Sequence, residues 1–365
     1  MKYSKLVIVC AMVVLTAGGG CSRKYRLTAE RMAQQSAYPF HRGGLKARGA
    51  VPGGQFNGRL NILWENKIND KLAGPLTLHH GTLVYSGVKD RIRFYNKLNG
   101  SYLGRRRVKG SAQTGVVFKD SLAFYCTSPN RNRLVCVDML RRKSIWTYPV
   151  KDAVGGSIIV DNRLIVGSSE GVLTALDVQN GELLWSVETA GRFAAAPAYD
   201  AGRIFQPGDD GVLYAIAVDN GNEIYRVELE GPLLGTAAVS DLVLAADMSG
   251  YVYGIDPDSG HIIWQTRLEN DIWSAPAVSD SHLIIGTSGG GVVALEVATG
   301  NVLWRFNATE VVRASVTIAG EFVIVGTMGG KLYSLDVADG RLISQRQLKG
   351  AITCAPVSDG DRVYV

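Results

Sequence analysis

The run LTALDVQNGELLW, residues 173–185, decides how this chain folds. Leu173, Ala175 and Asp177 alternate with Thr174 and Leu176, the period of a strand. A turn follows in which Asp177 can accept hydrogen bonds from nearby amides and Gly181 can take a positive φ without a Cβ clash. A second short strand then ends in Trp185, whose indole is a large apolar plug for a neighbouring unit. The pattern returns as VYGIDPDSGHIIW at 252–264, with Asp256, Gly260 and Trp264, and as VVALEVATGNVLW at 292–304, with Gly300 and Trp304. Weaker copies lie at 217–225, at 336–344 around Gly340, and at 138–146 ending in Trp146.

Glycines 181, 221, 260, 300 and 340 recur every 39 or 40 residues. Carried across the chain, the interval gives eight equivalent positions: Trp64, Gly104, Trp146, Trp185, Tyr225, Trp264, Trp304 and Ser344. Each unit holds four strands, read in one copy as 192–199, 203–207, 212–217 and 222–227. Four short strands at this period predict an all-β, eight-bladed β-propeller of four-stranded antiparallel blades with tryptophan-docking repeats. It spans residues 58–365, and pairing of the strand at 60–64 into the C-terminal blade closes the ring and removes two free edges. The last unit shows only two strands before Val365, so its third strand comes either from near Phe56 or from residues lost beyond the terminus.

The N-terminus has a different character. Lys2 and Lys5 precede an apolar run at 6–17, too short to span a bilayer, and glycines 18–20 lead into Cys21. Residues 1–21 therefore read as an export signal, and 22–57 as a tether and lead-in to the ring. The stretch TAGGGC resembles a bacterial lipobox, although Gly18 stands where leucine is usual; on that resemblance Cys21 is the lipidation site, with ordinary cleavage into the periplasm as the alternative. By the same resemblance Ser22 favours the outer membrane.

The repeats resemble those of the PQQ-like (quinoprotein-type) propeller family, with its Ala-x-Asp-x-x-x-Gly-x-x-x-Trp signature, over residues 38–365. YPFHRG at 38–43 looks like the Trp-Pro-x-x-Arg-Gly stretch that often precedes the first blade in that family. An exported propeller without inserted domains is similar to the family's non-enzymatic lipoproteins. That likeness implies a periplasm-facing binding scaffold, held to the membrane by an N-terminal lipid anchor, whose protein partners are the outer-membrane assembly machinery. The alternatives are a quinone- or small-ligand-binding propeller and a surface or polysaccharide-associated one.

Little in the sequence calls for an enzyme. There are no adjacent cysteines of the kind that the family's dehydrogenases set against their quinone, and Asp177, Asp219, Asp256, Glu296 and Asp336 all fall in turn positions. No cofactor and no metal site is expected. His79 and His80 sit where other units have turn residues, so both read as solvated. A formal charge of +6 is no nucleic-acid footprint. Arg105, Arg106, Arg107 and Lys109, with Arg141, Arg142 and Lys143 on the next unit, form either solvated turns or one positive patch. Cys126 and Cys136 occupy two small-residue columns on paired strands, which suits either a cross-strand disulfide or two small buried side chains, while Cys354 is left over. Ala73, Gln113, Gly155, Ala194, Leu234, Trp273, Arg313 and Thr353 align on the innermost strands. Trp273 and Arg313 stand out there as a channel-mouth binding pair or as a plug.

Overall fold

The computed structural model describes residues 4–9, 25, 27, 44–89, 91–108, 111–112, 114–128, 132–153 and 155–365. Antiparallel β-sheets follow one another along the chain. In the third blade the strands Ser157–Val160, Arg163–Gly167, Val172–Asp177 and Leu183–Glu188 pair in chain order, and the fourth repeats this with Ala198–Asp200, Arg203–Pro207, Val212–Ala217 and Glu223–Glu228. Side chains of the two middle strands are almost wholly buried, because both faces of each blade pack against neighbouring blades. Apolar clusters therefore lie between blades; one combines Leu173 and Ala175 of the third with Ile204 and Ile216 of the fourth.

The expected count of eight blades is corrected to seven. Seven sheets are built from consecutive repeat strands, from residues 77–107 to residues 317–347. The remaining sheet is not a repeat. It joins Val357–Ser358 and Val363–Tyr364 to Ile62–Ile68 only through Ser4–Val9, which pairs antiparallel with both. The repeat supplies no third strand here, and Phe56 does not provide one. Its ring packs edge-on against Phe322, 5.5 Å between centroids.

The docking aromatics explain the period. In each strong repeat the indole Nε1 donates to a backbone carbonyl of the next blade: Trp146 to Val178 (3.0 Å), Trp185 to Val218 (2.8 Å), Trp264 to Val297 (3.0 Å) and Trp304 to Val337 (2.8 Å). Trp64 reaches Lys97 at 3.4 Å, and the Tyr225 hydroxyl reaches Pro257 at 2.8 Å. The turn glycine of the next blade lies flat on the ring. At Gly300, with φ of +73°, a Cβ would stand 2.3 Å from Cε3 of Trp264.

Two seams lack this dock. Ser344 replaces the aromatic beside the composite sheet, where its Oγ accepts the Leu60 amide at 3.1 Å. Gly104 replaces it between the first and second blades, and there the turn glycine is replaced by Arg142 at φ +62°. The N-terminal segment fills that gap. The Tyr25 ring stacks on Phe94 at 3.9 Å, and the Leu27 amide donates at 3.4 Å to the carbonyl of Met139, the residue that corresponds to Val178. The tether thus occupies the place of an absent tryptophan.

Candidate functional site

The inner strands surround a channel whose two ends differ. Residues 45–51 run across the ends of the inner strands of four successive blades. The amides of Tyr199, Val239, Val278 and Ile318 donate to the carbonyls of Leu45, Lys46, Arg48 and Gly49 at 2.7–2.9 Å. Ala50–Val51 adds a parallel pairing to Thr317–Ala319, and ion pairs join Lys46 to Asp200 (3.0 Å) and Arg48 to Asp280 (3.5 Å). This strap follows the ends of the inner strands from the fourth to the seventh blade. It was not foreseen, because nothing periodic marks those residues in the sequence.

Toward the other end lies a cavity of about 190 Å³, lined by Gly155, Ala194, Leu234, Thr236, Trp273 and Ser315 among others. Gly155, Ala194, Leu234 and Trp273 of the expected inner column all line it. Gln113 lies outside the described residues. The guanidinium of Arg313 sits over the Trp273 ring at 5.6 Å, so the two residues singled out from the sequence do meet. Arg313 is exposed, and Trp273 is partly buried with its Nε1 closed off from solvent and without a hydrogen-bond partner. A buried donor without an acceptor costs about 1–3 kcal/mol, so an acceptor placed beside it in the cavity gains that amount.

The carboxylates of the repeat are occupied by structure. Asp177 Oδ1 accepts the amides of Gln179 (2.8 Å) and Asn180 (3.1 Å), and Asp256 Oδ1 those of Asp258 (3.0 Å) and Ser259 (2.7 Å). These bonds hold the Asp256 carboxyl below its ordinary pKa, the Ser259 hydroxyl contributing most. Buried Asp70 pairs with Arg93 at 2.7 Å, and buried Asp247 accepts the Tyr253 hydroxyl at 2.7 Å. Among the described residues no cluster of three metal-ligating side chains occurs.

Two expectations need correction. Cys126 and Cys136 do not face each other: Cys126 lies opposite Leu134 and Cys136 opposite Phe124, an offset of two residues. Both are free thiols packed in one apolar cluster, and burial pushes each pKa up to about 12. Cys354 is also free, and half-buried. His79 is no solvated turn residue. It ends the inner strand Thr77–His79, is 5% exposed and stacks on Phe118 at 4.0 Å, and burial, aided by neighbouring His80, lowers its pKa to about 3. Cys21 and residues 38–43 lie outside the described residues.

The outer strands leave a rim of apolar side chains in water. Leu183 and Leu184 are 49% and 46% exposed, Ile262 and Ile263 40% and 56%, and Val302 and Leu303 40% and 45%. Exposed apolar residues recurring at one place on successive blades form a surface suited to protein contact.

Comparison with known proteins gives a consistent result. The family described as outer membrane protein assembly factor BamB matches residues 130–239 and 209–365. A protein of that name from Alteromonas naphthalenivorans is 36% identical over 58 residues, a stretch covering 16% of this chain and 14% of the relative's length. The crystal structure of BamB from Moraxella catarrhalis superposes with a TM-score of 0.69 at 20% identity, over 82% of this chain and 98% of that one. The quinohemoprotein alcohol dehydrogenase of Comamonas testosteroni gives a TM-score of 0.75 at 12% identity, over 91% and 76%. At these identities the two structures share a fold with this chain, and the fold alone does not choose between their functions.

Proposed function

The chain belongs to the family described as outer membrane protein assembly factor BamB, and from that premise we propose that it is a non-catalytic, periplasm-facing binding scaffold that assists the assembly of outer-membrane proteins. The observation that carries this reading is the family match, which runs from the second blade to the C-terminal residue. The geometry agrees with it in three respects. The repeat aspartates are engaged in turns, the ring is rigidified by an indole dock at successive seams, and the apolar rim offers recurring contact points on a fixed frame. In this proposal lipidation at Cys21 removes residues 1–20, and with them the Ser4–Val9 strand of the composite sheet, and holds the scaffold to the outer membrane.

The test is crosslinking in intact cells, followed by purification through a C-terminal tag and identification of the attached proteins. Recovery of the outer-membrane β-barrel insertase, lost when Leu183 and Leu184 are both changed to Ser, is the expected result. Recovery of redox proteins or glycan enzymes in its place overturns the assignment.

The cavity beside Trp273 favours a second reading, a small ligand with a hydrogen-bond acceptor held in the channel. A soaked crystal with density within 3.2 Å of Trp273 Nε1 supports it, whereas a site filled only by water removes it.

A further inference from the structure

Charge is distributed unevenly around the ring. Residues 91–153 carry 14 Lys and Arg against only Asp120, Asp138 and Asp152, while the rest of the chain has 25 basic and 30 acidic residues. Six of these cations lie beside the seam that the tether fills. Arg105, Arg106 and Arg107 lie on the outer strand Tyr102–Arg107 of the first blade, and Arg141, Arg142 and Lys143 at the outer hairpin of the second. Arg107 and the three hairpin cations are exposed. Asp138, the nearest acid in sequence, is already committed: it caps the amides of Leu140 and Arg141 and pairs with Arg141 at 3.1 Å. Among the described residues, Arg106 Nε donates to the Tyr125 hydroxyl at 3.5 Å.

The tether passes between the two groups of cations. The Tyr25 amide donates to the Arg105 carbonyl at 3.2 Å, and the Leu27 amide to Met139, two residues before Arg141. Cys21 precedes Tyr25 by four residues, a span of at most about 14 Å when fully extended. A lipid carried by Cys21 would thus hold this seam, rather than the far side of the ring, against the bilayer. We propose that the basic seam between the first and second blades binds an anionic lipid surface, so that the ring stands edge-on to its membrane in one orientation. The orientation rests on the reading of Cys21 as the anchor; the lipid affinity rests on the cations alone.

The experiment separates the two. The mature chain, residues 21–365 without the export signal and carrying Cys21→Ala so that it cannot be acylated at that position, is sedimented with phosphatidylcholine vesicles with and without phosphatidylglycerol. The expected result is tighter binding to the anionic vesicles, weakened by salt. Each cation near such a surface contributes on the order of a fivefold factor, so Arg107→Gln, Arg142→Gln and Lys143→Gln together should lower the anionic-vesicle partition about a hundredfold. A control variant removes the same charge from the sixth and seventh blades, through Arg305→Gln, Arg341→Gln and Lys349→Gln, and is expected to change binding by less than about threefold. Equal binding to both vesicle types, or equal losses in the two triple variants, overturns the proposal. Mass spectrometry of Cys21 in the wild-type chain decides the anchor independently.

Discussion

Replacing Gly300 by alanine tests the indole dock where it is tightest. Trp264 is 8% exposed and lies between Gly300 of the next blade and Gly254 of its own, each of whose added Cβ would come within 2.3 Å of the ring. Alanine at 300 carries two penalties. Its φ of +73° costs an L-residue roughly 1–2 kcal/mol, and forcing a methyl against a held indole costs roughly 1–3 kcal/mol. The sum is about 2–5 kcal/mol, read as a lowered urea midpoint by far-UV circular dichroism. Gly254→Ala meets the same ring but has no positive φ, and alanine already fills that column at 175, 215 and 294, opposite Trp185, Tyr225 and Trp304. Its cost should stay under about 1.5 kcal/mol. In a Trp264→Ala background the clash at 300 disappears and only the backbone part remains, giving a coupling of about 1–3 kcal/mol. A Gly300→Ala penalty that is unchanged by removing Trp264, or matched by Gly254→Ala, would refute the docking account.

Other expectations follow from the corrected sites. Cys126 and Cys136, with thiol pKa values pushed to about 12, should resist iodoacetamide at pH 8 in the folded protein and both be alkylated in denatured, unreduced protein; alkylation only after reduction would show a disulfide. His79, held near pKa 3 against about 6.5 unfolded, is neutral in the fold, so the unfolded chain binds the extra proton between those values. Stability should therefore fall as pH drops below about 6.5, by up to roughly 1.4 kcal/mol per unit, and His79→Phe should flatten that slope in urea titrations at pH 4.5–7. Tyr25→Ala removes a 7%-exposed ring stacked on Phe94 and should cost about 3 kcal/mol; a change under about 1 kcal/mol would mean that the tether does not fill the seam.

The repeat was legible because its period rests on residue types that few positions accept: a glycine at positive φ such as Gly181 or Gly260, and a ring at Trp185 or Trp264. The blade count was not. Seven units carry four strands of their own, whereas the composite sheet of the full chain takes its third strand from residues 4–9, which belong to the segment read as the export signal and share none of the repeat's signals. Aligned columns gave the face on which Cys126 and Cys136 lie but not the strand register, and the two-residue offset separates the thiols. His79 was misplaced because a turn residue and the last residue of an inner strand look alike in sequence. The tether did leave a signal: Gly104 where an aromatic recurs, and Arg142 where a glycine recurs, together mark a seam that needs another filler.

Those two seams without a docking aromatic of the repeat set how the ring comes apart. Trp146, Trp185, Tyr225, Trp264 and Trp304 link the second to the seventh blade without a break, while Trp64 links the composite sheet to the first blade. A closed ring with one weak joint remains a ring, but one with two can divide. The molecule therefore consists of a six-blade arc and a two-sheet arc, each more cohesive within than toward the other. Amide exchange should resolve them as two cooperative units, with the smaller arc opening first whenever Tyr25 leaves its place.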